Sequence, residues 1–205
     1  KIKNDGIFEN KERNLIDDED AKLVNEELKK LGYIWSRWFQ ISKHKFTTFL
    51  TNHYSKNKKI GLDIGCKFRP YEDEYNCEYV GLDLPSEIFK EDTKKPHIYG
   101  TGESLPFLDN SFDFITTYSV VPYVKNIDNF FNEMHRVLKP SGTAVIIIMN
   151  LRGLNLQPKT HFENRYTSSQ LINKLKQHGF TSIKNKNLKT FALSNYYDIT
   201  SVYAY

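Results

Sequence analysis

Cysteine is scarce in this chain: its 205 residues include only Cys66 and Cys77. Two thiols cannot build the cross-braced framework of a small secreted domain, and their spacing is not that of a metal site. Both are expected to be reduced, in a cytoplasmic protein. Long hydrophobic runs are missing too. A bilayer span needs roughly 18–20 apolar residues, whereas the richest run, Ala144–Met149, has only the length of a buried strand. The opening stretch KIKNDGIFEN carries no apolar core of a signal peptide, and because it starts on Lys rather than Met it gives no reading of targeting. There is no large excess of charge of one sign: 29 Lys and Arg stand against 25 Asp and Glu, a formal net charge of +4. That surplus tolerates contact with phosphates without amounting to the strongly basic face that nucleic-acid binding favours. Internal repeats and low-complexity tracts are absent. What is present is 39% hydrophobic and 14% aromatic residues, enough for one folded domain with a sizeable core.

The first patterned segment, IDDEDAKLVNEELKKLG, predicts a helix with acidic residues in its first turn, lysines in its last and Gly32 as its stop. A second helix is expected next, since Trp35, Trp38, Phe39, Ser42, Phe46, Phe49 and Leu50 recur at near-helical spacing. Two readings of that stripe stay open. It packs against the main domain, or it forms a lid over a ligand, because Tyr33, Trp35 and Trp38 cluster at one end.

From residue 60 the texture alternates. KIGLDIG, EYVGLDL, HIYG and SFDFITTYS read as strands, followed by a helix over IDNFFNEMHRVLK that KPSG stops. TAVIIIMN then reads as a strand covered on both faces of a parallel sheet. Thr167 and Gln170 have the spacing of a capping box, and Gly179 followed by Phe180 fits a glycine C-cap. FTSIKNKN and YYDITSVYAY close the chain as two strands with no helix between them. The pattern predicts a doubly wound α/β sheet ending in an antiparallel strand.

In such sheets ligands bind at the carboxyl ends of the strands. Two strands here end in Leu-Asp, at Leu62-Asp63 and Leu82-Asp83, and Gly65 follows the first as a tight turn. Asp83 lies near the spacing at which a second-strand carboxylate grips ribose hydroxyls. On these residues alone, either Asp could equally cap a turn. The set Gly65-x-Lys67-x-x-Pro70 lacks the glycines of a dinucleotide fingerprint, which argues against a nicotinamide dehydrogenase.

Three downstream blocks narrow the reading. Glu103, Leu105-Pro106-Phe107 and Ser111-Phe112-Asp113, then Arg136-Val137-Leu138-Lys139-Pro140 with Gly142, then RYTSSQLINKLKQHGFTSI, resemble class I S-adenosylmethionine-dependent methyltransferases in order and spacing. The resemblance covers roughly residues 58–205 and none of the first fifty or so. It implies a Rossmann-like seven-stranded sheet of order 3-2-1-4-5-7-6 with strand 7 antiparallel. We therefore expect residues 1–57 to form an N-terminal helical extension or lid and residues 58–205 the methyltransferase domain.

Carried over by position, the resemblance implies S-adenosylmethionine as cofactor and S-adenosylhomocysteine as product. Asp63 and Gly65 would border the methionine end, Asp83 would hold the ribose, and Leu84 would lie beside the adenine. Gly102 and Glu103 would form the adenine-side loop, where Thr101 replaces a common Asp, and Tyr118 would sit beneath the methionine. Arg136–Pro140 would be structural. Lys67 departs from the family, which usually has a second glycine there. Its side chain restricts φ, and its charge is able to pair with the cofactor's carboxylate. Methyl transfer needs alignment and exclusion of water more than acid–base work. Should the acceptor require a base, His161 and Tyr123 follow strands on the expected active face, while His135 and His178 sit within helices. A small-molecule acceptor is expected, with nucleic acid not excluded. The competing reading, drawn from the atypical loop, is an inactive binding or regulatory protein on the same scaffold.

Overall fold

The computed structural model describes residues 33–91, 93–149, 162–187 and 197–203. The expected helix ending at Gly32 lies outside them, as does His161. The elements run α1 (Tyr33–Tyr54), β1 (Ile60–Ile64), β2 (Glu78–Asp83), β3 (Ile98–Tyr99), β4 (Phe112–Tyr118), α2 (Ile127–Val137), β5 (Leu138–Met149), α3 (Ser168–Gln177), β6 (Thr181–Asn187) and β7 (Tyr197–Tyr203). The strands make one seven-stranded sheet in the order β3-β2-β1-β4-β5-β7-β6. The first five pair in parallel, and β7 runs antiparallel to both β5 and β6. The expected topology is the observed one.

Alternation along the strands assigns the two faces. Leu62, Ile64, Leu82, Ile115, Ala144, Ile146 and Ile148 share one core with Phe130, Phe131 and Met134 of α2 and Leu171 and Leu175 of α3. On the other face Phe114, Val145 and Ile147 meet Leu50 of α1, with Phe46 and Tyr54 packed alongside. Burying one large apolar side chain contributes roughly 1.5–3 kcal/mol. The C-terminal half of α1 is therefore a packed layer of the domain. Phe49, also in the expected stripe, is exposed, and Trp35, Trp38, Phe39 and Ser42 fall outside the described side chains.

Two details differ from the sequence pattern. Helices do not follow every strand: between β1 and β2 the chain makes only a single 3-10 turn at Glu72–Glu74. Tyr75 covers that part of the sheet instead, with its ring centre 4.7 Å from Tyr79 and 5.5 Å from Phe114. Gly61 makes room for it, since a Cβ there would lie 2.9 Å from Tyr75 Cε1. The second difference is that β5 starts at Leu138 rather than at Thr143. Leu138 is already extended as the C-cap of α2 and pairs with Phe112 before the register shifts to Phe114↔Thr143. Ser141, at φ 64°, absorbs the shift, because Pro140 can neither continue a helix nor donate to the ladder.

The two capping signals that fall on described residues, around α3, are present. Thr167 Oγ1 accepts from Gln170 N–H at 3.2 Å while Gln170 Oε1 accepts from Thr167 N–H at 2.9 Å. Gly179 has φ 87°, and Phe180 behind it is buried.

The family-like blocks also explain one another. Arg136 forks onto Glu133 and Asp109 and donates to the carbonyls of Leu105 and Phe107 at 3.0 and 2.8 Å. Glu133 in turn accepts from Leu105 N–H at 2.6 Å. Asp113 Oδ2 accepts from the N–H groups of Lys59 and Ile60 and from Lys139 Nζ. The Leu-Pro-Phe turn, the Ser-Phe-Asp strand and the Arg-Val-Leu-Lys-Pro segment are thus three sides of one hydrogen-bonded unit. Arg136→Lys keeps the charge but loses the planar fork. Thermal unfolding should show a loss of about 1–2 kcal/mol, a fall in Tm of roughly 2–8 °C.

Candidate active site

The carboxyl ends of β1, β2 and β4 bring together three loops. Gly65 ends β1 with φ 79°, and its N–H donates to Leu82 O at 2.8 Å. A Cβ at Gly65 would overlap Val120 Cγ2, from the loop after β4. Glycine is therefore required here by both backbone and neighbour. Lys67 and Arg69 follow at φ 45° and 56°, in the left-handed region that glycine adopts most easily. Lys67 N–H donates to Asp83 Oδ2 at 2.6 Å, and Leu84 N–H donates to Asp83 Oδ1 at 2.7 Å. One carboxylate thus ties the loop after β1 to the loop after β2. Burial raises the Asp83 carboxyl above its ordinary value, while the two backbone donors and the charge of Lys67 oppose the rise.

Beneath this loop Asp63 is almost wholly buried, at 2% exposure. Thr116 Oγ1 donates to its Oδ1 at 2.7 Å and Tyr79 OH to its Oδ2 at 3.0 Å. Thr116 spends its one proton on Asp63, so Tyr75 OH, also in contact with Thr116 Oγ1, is the donor of that bond. The result is a directed chain, Tyr75 to Thr116 to Asp63, closed from the other side by Tyr79. Desolvation pushes the Asp63 carboxyl from 3.8 up to about 6, against the pull of Thr116 and Tyr79 and with a smaller push from Asp83. Cys66, buried at the loop's start, has its thiol pushed well up by the same desolvation, which makes it a poor nucleophile.

Tyr118 ends β4. Thr51 Oγ1 donates to Thr47 O at 2.8 Å, so the 2.6 Å contact between Tyr118 OH and Thr51 Oγ1 has Tyr118 as donor. Tyr71 lies between His44 of α1 and Tyr118, with ring centres 5.4 Å from each. Through these contacts α1 meets the strand ends directly.

Residues 60–146 match the family described as "Methyltransferase domain". An uncharacterised protein of Methanocaldococcus jannaschii is 27% identical over 73% of this chain and 78% of its own length. A Thermotoga maritima structure described as a SAM-dependent methyltransferase, possible histamine N-methyltransferase, superposes with a TM-score of 0.62 at 18% identity, over 88% of this chain and 99% of that one. Residues 60–146 thus match a methyltransferase domain, and the fold is that of S-adenosylmethionine-dependent methyltransferases. The same fold recurs, with a TM-score of 0.60 at 15% identity, in a Haemonchus contortus phosphoethanolamine N-methyltransferase solved with phosphomonomethylethanolamine and S-adenosylhomocysteine. That match covers 77% of this chain and 52% of the nematode enzyme. Curated methyltransferases among the relatives are spanned over 28–63% of their own length.

Within the methyltransferase domain, Asp63, Gly65, Lys67, Asp83, Leu84 and Tyr118 come together around the ends of β1, β2 and β4, with Leu84 exposed. Gly102 stands in the loop after β3, where a Cβ would lie 2.5 Å from Phe130 Cε2 and 2.9 Å from Ile64 Cγ2. Its glycine is demanded by the core below. Glu103 Oε1 accepts from Lys125 N–H at 2.9 Å, joining the loops after β3 and β4. Tyr123 closes the Val121–Tyr123 turn, with its ring 5.3 Å from Phe162. Sequence reasoning missed Thr116, Tyr79, Tyr75 and Thr51, which set the protonation and the anchoring of the site. The readable signal was a pair of adjacent threonines inside the strand FDFITTY, one of them in register with Asp63.

The raised Asp63 pKa fixes a sign. The folded protein holds this proton more tightly than the unfolded chain, so its stabilising contribution is full below about pH 4 and lost as pH rises through about 6. Relative to Asp63→Asn, wild-type stability should fall by about 3 kcal/mol across that window. Denaturant titrations of both proteins at a series of pH values give the difference curve. A flat difference would refute the assignment.

Proposed function

We propose that the chain binds S-adenosylmethionine at the ends of β1, β2 and β4 and transfers its methyl group to a small-molecule acceptor. The observation that carries this reading is the Asp83 carboxylate, held at the end of β2 by two backbone N–H donors. Each of its oxygens keeps a further lone pair, so it is suited to a vicinal diol. Exposed Leu84 and Tyr99 flank it with apolar surface for a base. At the end of β4 the buried Ser119 Oγ has no hydrogen-bond partner, a polar atom waiting beside the expected methionine end. This donor set fits the cofactor.

When bound, S-adenosylmethionine supplies a methyl group already activated on a sulfonium. The chain's own residues then hold the ribose, through Asp83, and shape the methionine end, through Gly65 and the loop held by Lys67 N–H. They also keep water from the reacting line, through the aromatic wall of Tyr71 and Tyr118. Tyr123 and His161 are the proposed proton acceptors where the acceptor is a hydroxyl or carbon acid. A small acceptor is supported by the modest net charge and by the phosphomonomethylethanolamine of the nematode complex.

Calorimetry with S-adenosylhomocysteine tests the reading. Micromolar binding is expected, with a loss of tenfold or more in Asp83→Ala. Folded protein that binds neither S-adenosylmethionine nor S-adenosylhomocysteine would leave a binding or regulatory protein on a methyltransferase scaffold.

A further inference from the structure

The segment just before α3 is held more firmly than a connecting loop needs. Asn164 N–H donates to Pro122 O at 3.1 Å, and its Nδ2 donates to the carbonyls of Val121 and Val124. Glu163 N–H also donates to Pro122 O, at 2.8 Å. Tyr166 packs against the larger core, with its OH 3.3 Å from Asn164 Oδ1, and Thr167 is the N-cap of α3. Residues 163–167 are thereby stapled to the Val121–Tyr123 turn, which follows directly on the Val120 that abuts Gly65. On this anchored frame Tyr123 presents a ring at 49% exposure. Phe162 lies 5.3 Å from that ring, and the Arg165 guanidinium stands 5.3 Å over the Phe162 ring.

A guanidinium held over an aromatic face loses little further freedom on binding, and its planar fork suits carboxylate or phosphate. The neighbouring ring offers apolar surface. We propose that Tyr123, Phe162 and Arg165 form the acceptor-recognition site, for a small molecule that joins an apolar or aromatic body to a phosphate or carboxylate. Asn164 is its positioning residue. The proposal rests on the methyltransferase reading, because it places the acceptor across the β4 turn from the cofactor loop.

The test titrates phenyl phosphate, benzoate and phenol into protein saturated with S-adenosylhomocysteine. Phenyl phosphate or benzoate should bind at least tenfold more tightly than phenol, and the stronger of the two identifies the anion. Arg165→Gln should abolish that preference while keeping affinity for S-adenosylhomocysteine within twofold, which also certifies its fold. Arg165→Lys, with charge but no fork, should fall between. Asn164→Ala should weaken the anionic probe, and Asn164→Asp, which lacks the amide donors, should not rescue it. Equal binding of phenol and both anions, or an anion preference that survives Arg165→Gln, overturns the proposal. A parent protein that fails to bind S-adenosylhomocysteine fails the methyltransferase reading instead.

Discussion

The candidate site depends on one carboxylate. Asp83 accepts from the N–H groups of Lys67 and Leu84, and this pair of bonds decides the path of the loop after β1. Holding a non-glycine residue in the left-handed region costs about 1–2 kcal/mol. A hydrogen bond to a charged acceptor contributes roughly 1.5–3 kcal/mol. The bond to Lys67 N–H is therefore enough to offset the strain at Lys67 itself. The loop follows a glycine path without the glycine because Asp83 holds its backbone. Arg69, also left-handed, is steadied by its 2.8 Å bonds from N–H to Cys66 O and from its guanidinium to Glu72.

Below the loop, the sheet carries a second carboxylate under opposite terms. Asp63 meets only hydroxyl donors and lies deep between strands, so burial and hydrogen bonding contend over its charge, and burial is the larger effect. Asp83 sits at the rim and is held by backbone. The two residues look alike in sequence, each closing a Leu-Asp strand end, and the structure separates their roles. Asp83 is half-buried at the strand end. Asp63 acts on the site from underneath, through Thr116, Tyr79 and Tyr75.

Much of the fold was legible because it rests on local rules. The uninterrupted apolar run of β5 required cover on both faces, and α2 and α1 supply it. The Thr167–Gln170 box and the Gly179 cap are chemistry within a few residues, and both are present. The start of β5 was misplaced because a proline after a helix reads as a turn, whereas here the cap residue Leu138 is already paired to Phe112. What covers the sheet between β1 and β2 was not legible at all. Only in three dimensions does Tyr75 lie against Phe114 and over Gly61. The partners of Asp63 were hidden for the same reason: register, not sequence distance, brings Thr116 beside it.

The direction of the hydrogen bonds constrains the chemistry further. Thr51 gives its only proton to Thr47 O, so Tyr118 gives its own to Thr51. Burial raises the Tyr118 phenol well above its ordinary value, and ionising it would also sever the bond that anchors α1 to β4. Tyr118 is thus a structural post at the end of its strand, unsuited to accepting a proton. The same holds for Tyr75 and Tyr79, whose protons are committed toward Asp63. Every phenol on the α1 side with an assigned proton is a donor facing inward. Where the proposed acceptor is a hydroxyl or carbon acid, none of these three phenols supplies the base, and the proposal keeps that role for Tyr123 and His161.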